Sequence, residues 1–188
     1  MDWRNHGDSG HSKIMTYPAM ADDIVRLADQ LNIDKFTLLG HSMGGKIVMT
    51  TAWKHPDRID GVISVDAAPY DYNPNIKYTS FILNVIERVK YLNFKGMTRK
   101  ALLQLMTDEI GNVSVAHLMM ANVAFDENSL ASHWKWNMEA LIDNITNVFG
   151  YEKVGEFNGP FLSILAGTDL LYTSQAMKIL SFLSNENI

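Results

Sequence analysis

The sequence predicts an α/β fold with a parallel sheet, interrupted by a long helical block, and three observations carry that prediction. Short apolar runs bounded by turn residues stand at 35–39, 61–65 and 161–165. The first two are separated by a stretch of helical periodicity, the pattern of a strand–helix–strand unit. Over about 70–150 strand signals vanish and helical ones dominate, so that block is an insertion in the sheet rather than part of it.

Each element has its own reason. The first fourteen residues are polar and turn-rich, with Gly7, Asp8, Ser9, Gly10 and Ser12, and read as a loop. Thr16 has the chemistry of a helix N-cap, Pro18 is tolerated in the first turn, and Asp22 and Asp23 suit the helix dipole. Met20, Ile24, Leu27, Ala28 and Leu31 recur at helical spacing, giving an amphipathic helix over about 16–31. Lys35-Phe36-Thr37-Leu38-Leu39 has the length and content of a buried parallel strand. A second helix starts near Met43 and runs to about His55, burying Ile47, Val48 and Ala52, and Pro56 stops it. Gly61-Val62-Ile63-Ser64-Val65 is the next strand, closed by Asp66. Helical patterns follow at roughly 76–91, 99–107, 113–122 and 129–148. Phe161-Leu162-Ser163-Ile164-Leu165 returns to strand, ends at Gly167-Thr168-Asp169, and is followed by a helix over roughly 173–183. The expectation is one domain over 1–188 carrying a helical insertion at about 70–150.

Composition removes several function classes. A net charge of −5, with no markedly basic window, argues against nucleic acid as a partner. The absence of cysteine excludes disulfides, zinc–thiolate sites, iron–sulfur clusters and a cysteine nucleophile. Apolar runs such as Phe81-Ile82-Leu83 are far too short to span a bilayer. Met1-Asp2-Trp3-Arg4-Asn5-His6 has neither a secretory apolar region nor a transit-peptide pattern, so no targeting signal is read. Neither a metal nor an organic cofactor is called for.

Gly40-His41-Ser42-Met43-Gly44 is the motif that carries chemistry. It follows a predicted buried strand directly and opens a predicted helix directly, the strand–turn–helix context of a nucleophile elbow. The spacing has a steric cause: the turn strains the serine backbone, and small residues two before and two after it let strand and helix approach closely. Gly40 and Gly44 supply this, and Gly45 allows still closer packing. Ser42 then stands clear of the sheet, and the Met43 N–H, at the helix N-terminus, points toward a developing oxyanion. The alternative use of the motif is a glycine-rich strand–helix turn holding an idle serine.

His41-Ser42-Met43-Gly44-Gly45 resembles the elbow of many α/β-hydrolases. Asp2-x-Arg4-Asn5-His6-Gly7-x-Ser9 resembles the loop after that family's fourth strand, and Ser64-Val65-Asp66-Ala67-Ala68-Pro69 the segment after its sixth strand in one esterase branch. That branch includes small bacterial acyl esterases and mitochondrial abhydrolase-domain proteins. The resemblance implies a partial α/β-hydrolase fold with a helical lid, and a soluble protein of the mitochondrial matrix or cytoplasm. It also implies a triad acid at the position of Asp66, with Asp169, at the end of the last strand, as the alternative most α/β-hydrolases use.

The same resemblance implies a histidine one strand after the acid, and none of the six histidines matches that place. His6 and His11 lie in the N-terminal loop, His41 is the variable residue of the elbow, His55 ends the elbow helix, and His117 and His133 fall on the insertion. The segment that would supply a second oxyanion donor, and the family's first three strands, would lie upstream of Met1. The strand at 35–39 is then expected to be an open apolar edge, covered by a missing segment or another polypeptide.

On the insertion, Phe81, Ile82, Val85, Ile86 and Val89 form a helical stripe, and Met119, Met120, Trp134, Trp136 and Met138 add bulky groups. These residues line an apolar acyl pocket or merely pack the lid on the core. Two functions follow as expectations. One is a serine hydrolase of small apolar esters or thioesters, acting through an acyl-Ser42 intermediate and belonging to a fragment or a larger assembly. The other is a catalytically inactive structural or interaction subunit of the same fold.

Overall fold

A computed structural model describes residues 1–71, 77–125, 132–152 and 155–165. The chain divides into two compact units: a sheet unit, Ile14–Asn73 with Asn144–Ile188, and a helical unit, Met1–Lys13 with Pro74–Asp143.

In the sheet unit, helix α1 spans Tyr17–Gln30 and starts where the sequence places its cap, the Ala19 N–H donating to Thr16 Oγ1 at 3.4 Å. Its buried stripe is Tyr17, Met20, Ala21, Ile24 and Ala28. Strand β1 (Phe36–His41), helix α2 (Met43–Lys54) and strand β2 (Ile59–Val65) follow, with one 3-10 turn at Pro56–Arg58. Every residue of α2 from Gly44 to Trp53 is buried, because α2 is sandwiched between α1 and the sheet. Helix α7 (Ile145–Phe149) and strand β5 (Phe161–Ile164) belong to the same unit.

The three strands are parallel in the order β1-β2-β5. The register pairs His41 with Val65 and Val65 with Ile164, so all three strands end level. Residues just past the ends of β1 and β2, Ser42 and Asp66, therefore emerge side by side. Burial along β1 alternates, with Leu38 and Gly40 buried, while Leu39 opens onto the opposite face. There it is 67% exposed, and Leu162 and Ile164 are 53% and 49% exposed on the same side of β5.

The helical unit is built from side-chain volume. Helices α3 (Lys77–Val89), α4 (Arg99–Ile110) and α5 (Val113–Met120) enclose a core of Val85, Val89, Phe94, Leu102, Met106, Ala116, Met119, Met120 and Val123. The ends of α4 and α5 are set by local chemistry: Thr98 accepts from the Ala101 N–H at 3.2 Å, Asn112 Oδ1 accepts from Ser114 and Val115, and Gly111 closes α4 at φ 74°.

Here the structure corrects two expectations. The insertion does contain strand: β3 (Val123–Ala124) pairs antiparallel with β4 (His133–Trp134). The helix predicted over 129–148 is instead an extended segment followed by two short helices, α6 (Met138–Asp143) and α7. The physical reason is period two: Ser132, Trp134 and Trp136 are partly buried while His133 and Lys135 are exposed. Asn137 then caps α6, its Oδ1 accepting from Ala140 at 3.2 Å. Asn144 separates the two helices by accepting from the Met15 N–H and from Asn147 Nδ2, both through Oδ1.

Candidate active site

The elbow motif folds as its glycines dictate. A Cβ on Gly40 would lie 2.2 Å from the Gly44 carbonyl oxygen, and one on Gly45 would lie 2.5 Å from Ala67 Cβ. Neither position admits a side chain: at Gly40 the helix backbone already fills the space, and at Gly45 the Ala67 methyl and Ser64 Oγ do. Between them Ser42 takes φ 54°, ψ −120°, a sparsely populated conformation for a residue with a Cβ. Three backbone bonds hold it: its N–H donates to Val65 O at 2.9 Å, and Gly45 and Lys46 donate to its carbonyl at 2.9 and 3.2 Å.

Thr16, Thr98 and Asn112 all use a side-chain oxygen to cap a helix, whereas Ser42, at the N-cap of α2, makes no such bond. The residue is half-buried, and its Oγ is not consumed by the helix it precedes. Met43 is the first residue of α2, so its N–H has no acceptor one turn back within the helix. A developing negative charge on an atom bonded to Ser42 Oγ would meet that N–H and the positive end of the helix dipole.

Asp66 lies across the neighbouring strand end. It is half-buried, has φ 51°, and its N–H donates to Ile164 O at 2.7 Å, which fixes it between the ends of β2 and β5. The alternative acid, Asp169, lies outside the described residues. Within the sheet unit His41 is exposed and His55 is engaged by Asp22 at 2.9 Å. Burial acts to raise the Asp22 carboxyl, but the bonds from Lys54 and His55 outweigh it and leave the group below its usual range. In the helical unit, burial holds the His6 ring below its ordinary pKa despite its bond to Arg4 O, while His11, His117 and His133 are exposed.

Trp134 and Trp136 stack within 9° of parallel and, with Met138, pack against the core that contains Met119 and Met120. They therefore belong to the helical unit's own core. No group of three or more His, Cys, Asp or Glu side chains that could hold a metal occurs among the described residues. No described helix is long and apolar enough to cross a membrane. A cavity of about 330 Å³ in the sheet unit is lined by Thr16, Tyr17, Asp71, Asn147, Tyr151 and Glu152, without Ser42.

A family model for the alpha/beta hydrolase fold matches residues 1–186. The chain belongs to the α/β-hydrolase fold family. An esterase of Escherichia coli, YbfF, is 33% identical over 93% of this α/β-hydrolase chain and 65% of its own length. The sn-1-specific diacylglycerol lipase ABHD11 of Danio rerio is 30% identical over 93% of the chain and 55% of its own. The α/β-hydrolase chain thus spans between half and two thirds of the length of these relatives. Among solved structures, a marine microorganism esterase superposes with a TM-score of 0.90 and 26% identity, covering 98% of this chain and 71% of that one.

One residue beside the elbow escaped sequence reasoning. Lys46, in the first turn of α2, has a fully buried side chain. Its Nζ donates to Tyr70 O at 2.9 Å and to Phe149 O and Gly150 O at 3.2 Å each. It also sits 5.8 Å and 5.5 Å from the ring centroids of Tyr17 and Tyr151. Burial drives its pKa down to about 7, against the attraction of Asp71, and burial likewise pushes the Tyr151 phenol up. The available signal was charge: Lys46 is the only ionisable residue between Met43 and Trp53.

Proposed function

We propose that this chain carries the nucleophile half of a serine hydrolase acting on carboxylic esters or thioesters of small apolar acids. Ser42 Oγ attacks the acyl carbon as a base takes its proton, the carbonyl oxygen becomes an oxyanion facing the Met43 N–H, and the C–O or C–S bond breaks as that proton passes to the leaving alcohol or thiol. Water then attacks the acyl-Ser42 carbonyl and releases the acid. Asp66, level with Ser42 at the neighbouring strand end, orients the base that takes the serine proton. None of His41, His55 or the helical unit's histidines is assigned that role. The observation that carries the reading is the Ser42 backbone: a φ of 54° and ψ of −120°, held between glycines that admit no Cβ, with an Oγ left out of the helix cap. The names of the relatives, an esterase and a diacylglycerol lipase, support ester substrates.

The test is labelling of the purified chain by a serine-reactive fluorophosphonate. Wild type is expected to label with imidazole added as the base and Ser42→Ala not to; equal labelling of the two, or none of either in the presence of imidazole, overturns the proposal. One observation favours a second reading, a subunit that binds another polypeptide without turnover. Leu39, Leu162 and Ile164 present apolar surface on one face of the sheet. A chain that does not label but co-purifies in a stable complex selects that reading.

A further inference from the structure

The partners of Lys46 are not scattered. Tyr70 lies four residues past Asp66, on the segment that leaves the sheet unit, and Phe149 and Gly150 lie where the chain has re-entered it. At the other end of the same residue, the Lys46 N–H closes the first helical bond onto Ser42 O at 3.2 Å. An ammonium has three donors, and here three carbonyl oxygens receive them. Two tyrosine rings flank the charge, so the head group is enclosed by acceptors and ring faces with no water-exposed side.

A neutral side chain could fill this space, and a buried ammonium is an expensive way to fill it. What the ammonium adds is direction: it ties one helical turn to two backbone segments far away in sequence. The neighbouring contact of Gly45 with Ala67, one residue past Asp66, presses the same two segments together.

We propose that Lys46 is a positioning residue for the Ser42 reaction, clamping the first turn of α2 to the segment that follows Asp66 and so fixing nucleophile and acid relative to each other. This rests on the reading of Ser42 and Asp66 given above. Lys46 touches no reacting atom; its effect passes through the Ser42–Lys46 turn and the 66–70 segment. A clamp of this kind changes the rate of acylation more than the binding of the acylating reagent.

The test is fluorophosphonate labelling of the full chain, resolved into a maximal rate and a half-saturating concentration. It compares wild type, Lys46→Met and Lys46→Arg at pH 6.5, where most of Lys46 carries its proton, each well below its own Tm so that every sample is folded. Lys46→Met is expected to lower the maximal rate tenfold or more with less than a threefold change in half-saturation. Lys46→Arg, which keeps the charge and the donors, is expected to recover part of that loss. A residue that merely stabilised the fold would lower Tm and leave the labelling of folded protein unchanged. Wild-type rates in Lys46→Met, or Lys46→Arg no better than Lys46→Met, overturn the proposal. Should Lys46→Met not fold, Lys46→Gln carries the same comparison. If wild type itself does not label, the Ser42 reading falls and the clamp is judged separately, by amide exchange at 43–46. Faster exchange in Lys46→Met than in wild type supports it, and equal exchange overturns it.

Discussion

The two units of this chain are specified in different ways. In the sheet unit the decisive contacts are made by bare backbone: Gly40 against the Gly44 carbonyl and Gly45 against Ala67 Cβ, at separations that leave no room for one carbon atom. In the helical unit they are between side chains, a core of leucine, valine, phenylalanine and methionine held by short helices with local caps. Backbone contacts of the first kind set positions to a fraction of an ångström and tolerate nothing added. Side-chain cores of the second kind tolerate exchange as long as volume is kept, and methionine is the most forgiving member of such a core. The unit that holds Ser42 and Asp66 is the one built the intolerant way, which suits chemistry that needs fixed geometry.

The largest effect should come from breaking the first kind of contact. Gly40→Ala places a methyl 2.2 Å from a backbone oxygen with no flexible neighbour to yield, and should leave no cooperatively folded protein by circular dichroism and thermal melting. Next comes the second kind: Met106, fully buried, should lose about 2–5 kcal/mol on truncation to Ala but less than about 1.5 kcal/mol on exchange for Leu, measured by urea unfolding. Equal losses for Ala and Leu would mean that the helical unit is as rigidly specified as the elbow.

The smallest and most specific effect concerns pH. Because burial lowers the Lys46 pKa to about 7, the unfolded chain binds a proton that the folded chain lacks between about pH 7 and the ordinary lysine value. Stability from this group therefore rises with pH across that window, by at most about 1.4 kcal/mol per pH unit, and is flat below it. The difference in unfolding free energy between wild type and Lys46→Met, followed from pH 6 to 9, should show that rise beginning near 7. A difference that stays constant over the range would contradict it.

These contrasts also explain what could be read from the sequence. The elbow was legible because its requirement is local: glycines at fixed offsets around one serine, between an apolar run and a helical pattern. Thr16 as a cap and Asp66 as the residue that closes its strand follow from equally short-range rules. Lys46 was not legible, because its carbonyl partners lie 24, 103 and 104 residues away and carbonyls belong to every residue alike. The β3–β4 pair was overlooked because each strand has only two residues. Ser132, Trp134 and Trp136 alternate with polar neighbours over a span too short for a period of two to stand out. That Trp134, Trp136 and Met138 pack within the helical unit's own core depends on which neighbours surround them, and no periodicity encodes that.

Ser42 and Asp66 share a trait independent of their chemistry: both sit at positive φ, 54° and 51°, where a side chain is a burden to the backbone. The burden is of order 1–3 kcal/mol at such positions, and glycine is free of it. Random mutation under selection for stability alone would thus tend to erase both residues, along the direction in which the polypeptide relaxes. That a hydroxyl and a carboxylate occupy two adjacent strand ends where the backbone favours neither is a sign of selection for something other than stability, and it makes these two sites the most informative places to watch as related sequences diverge.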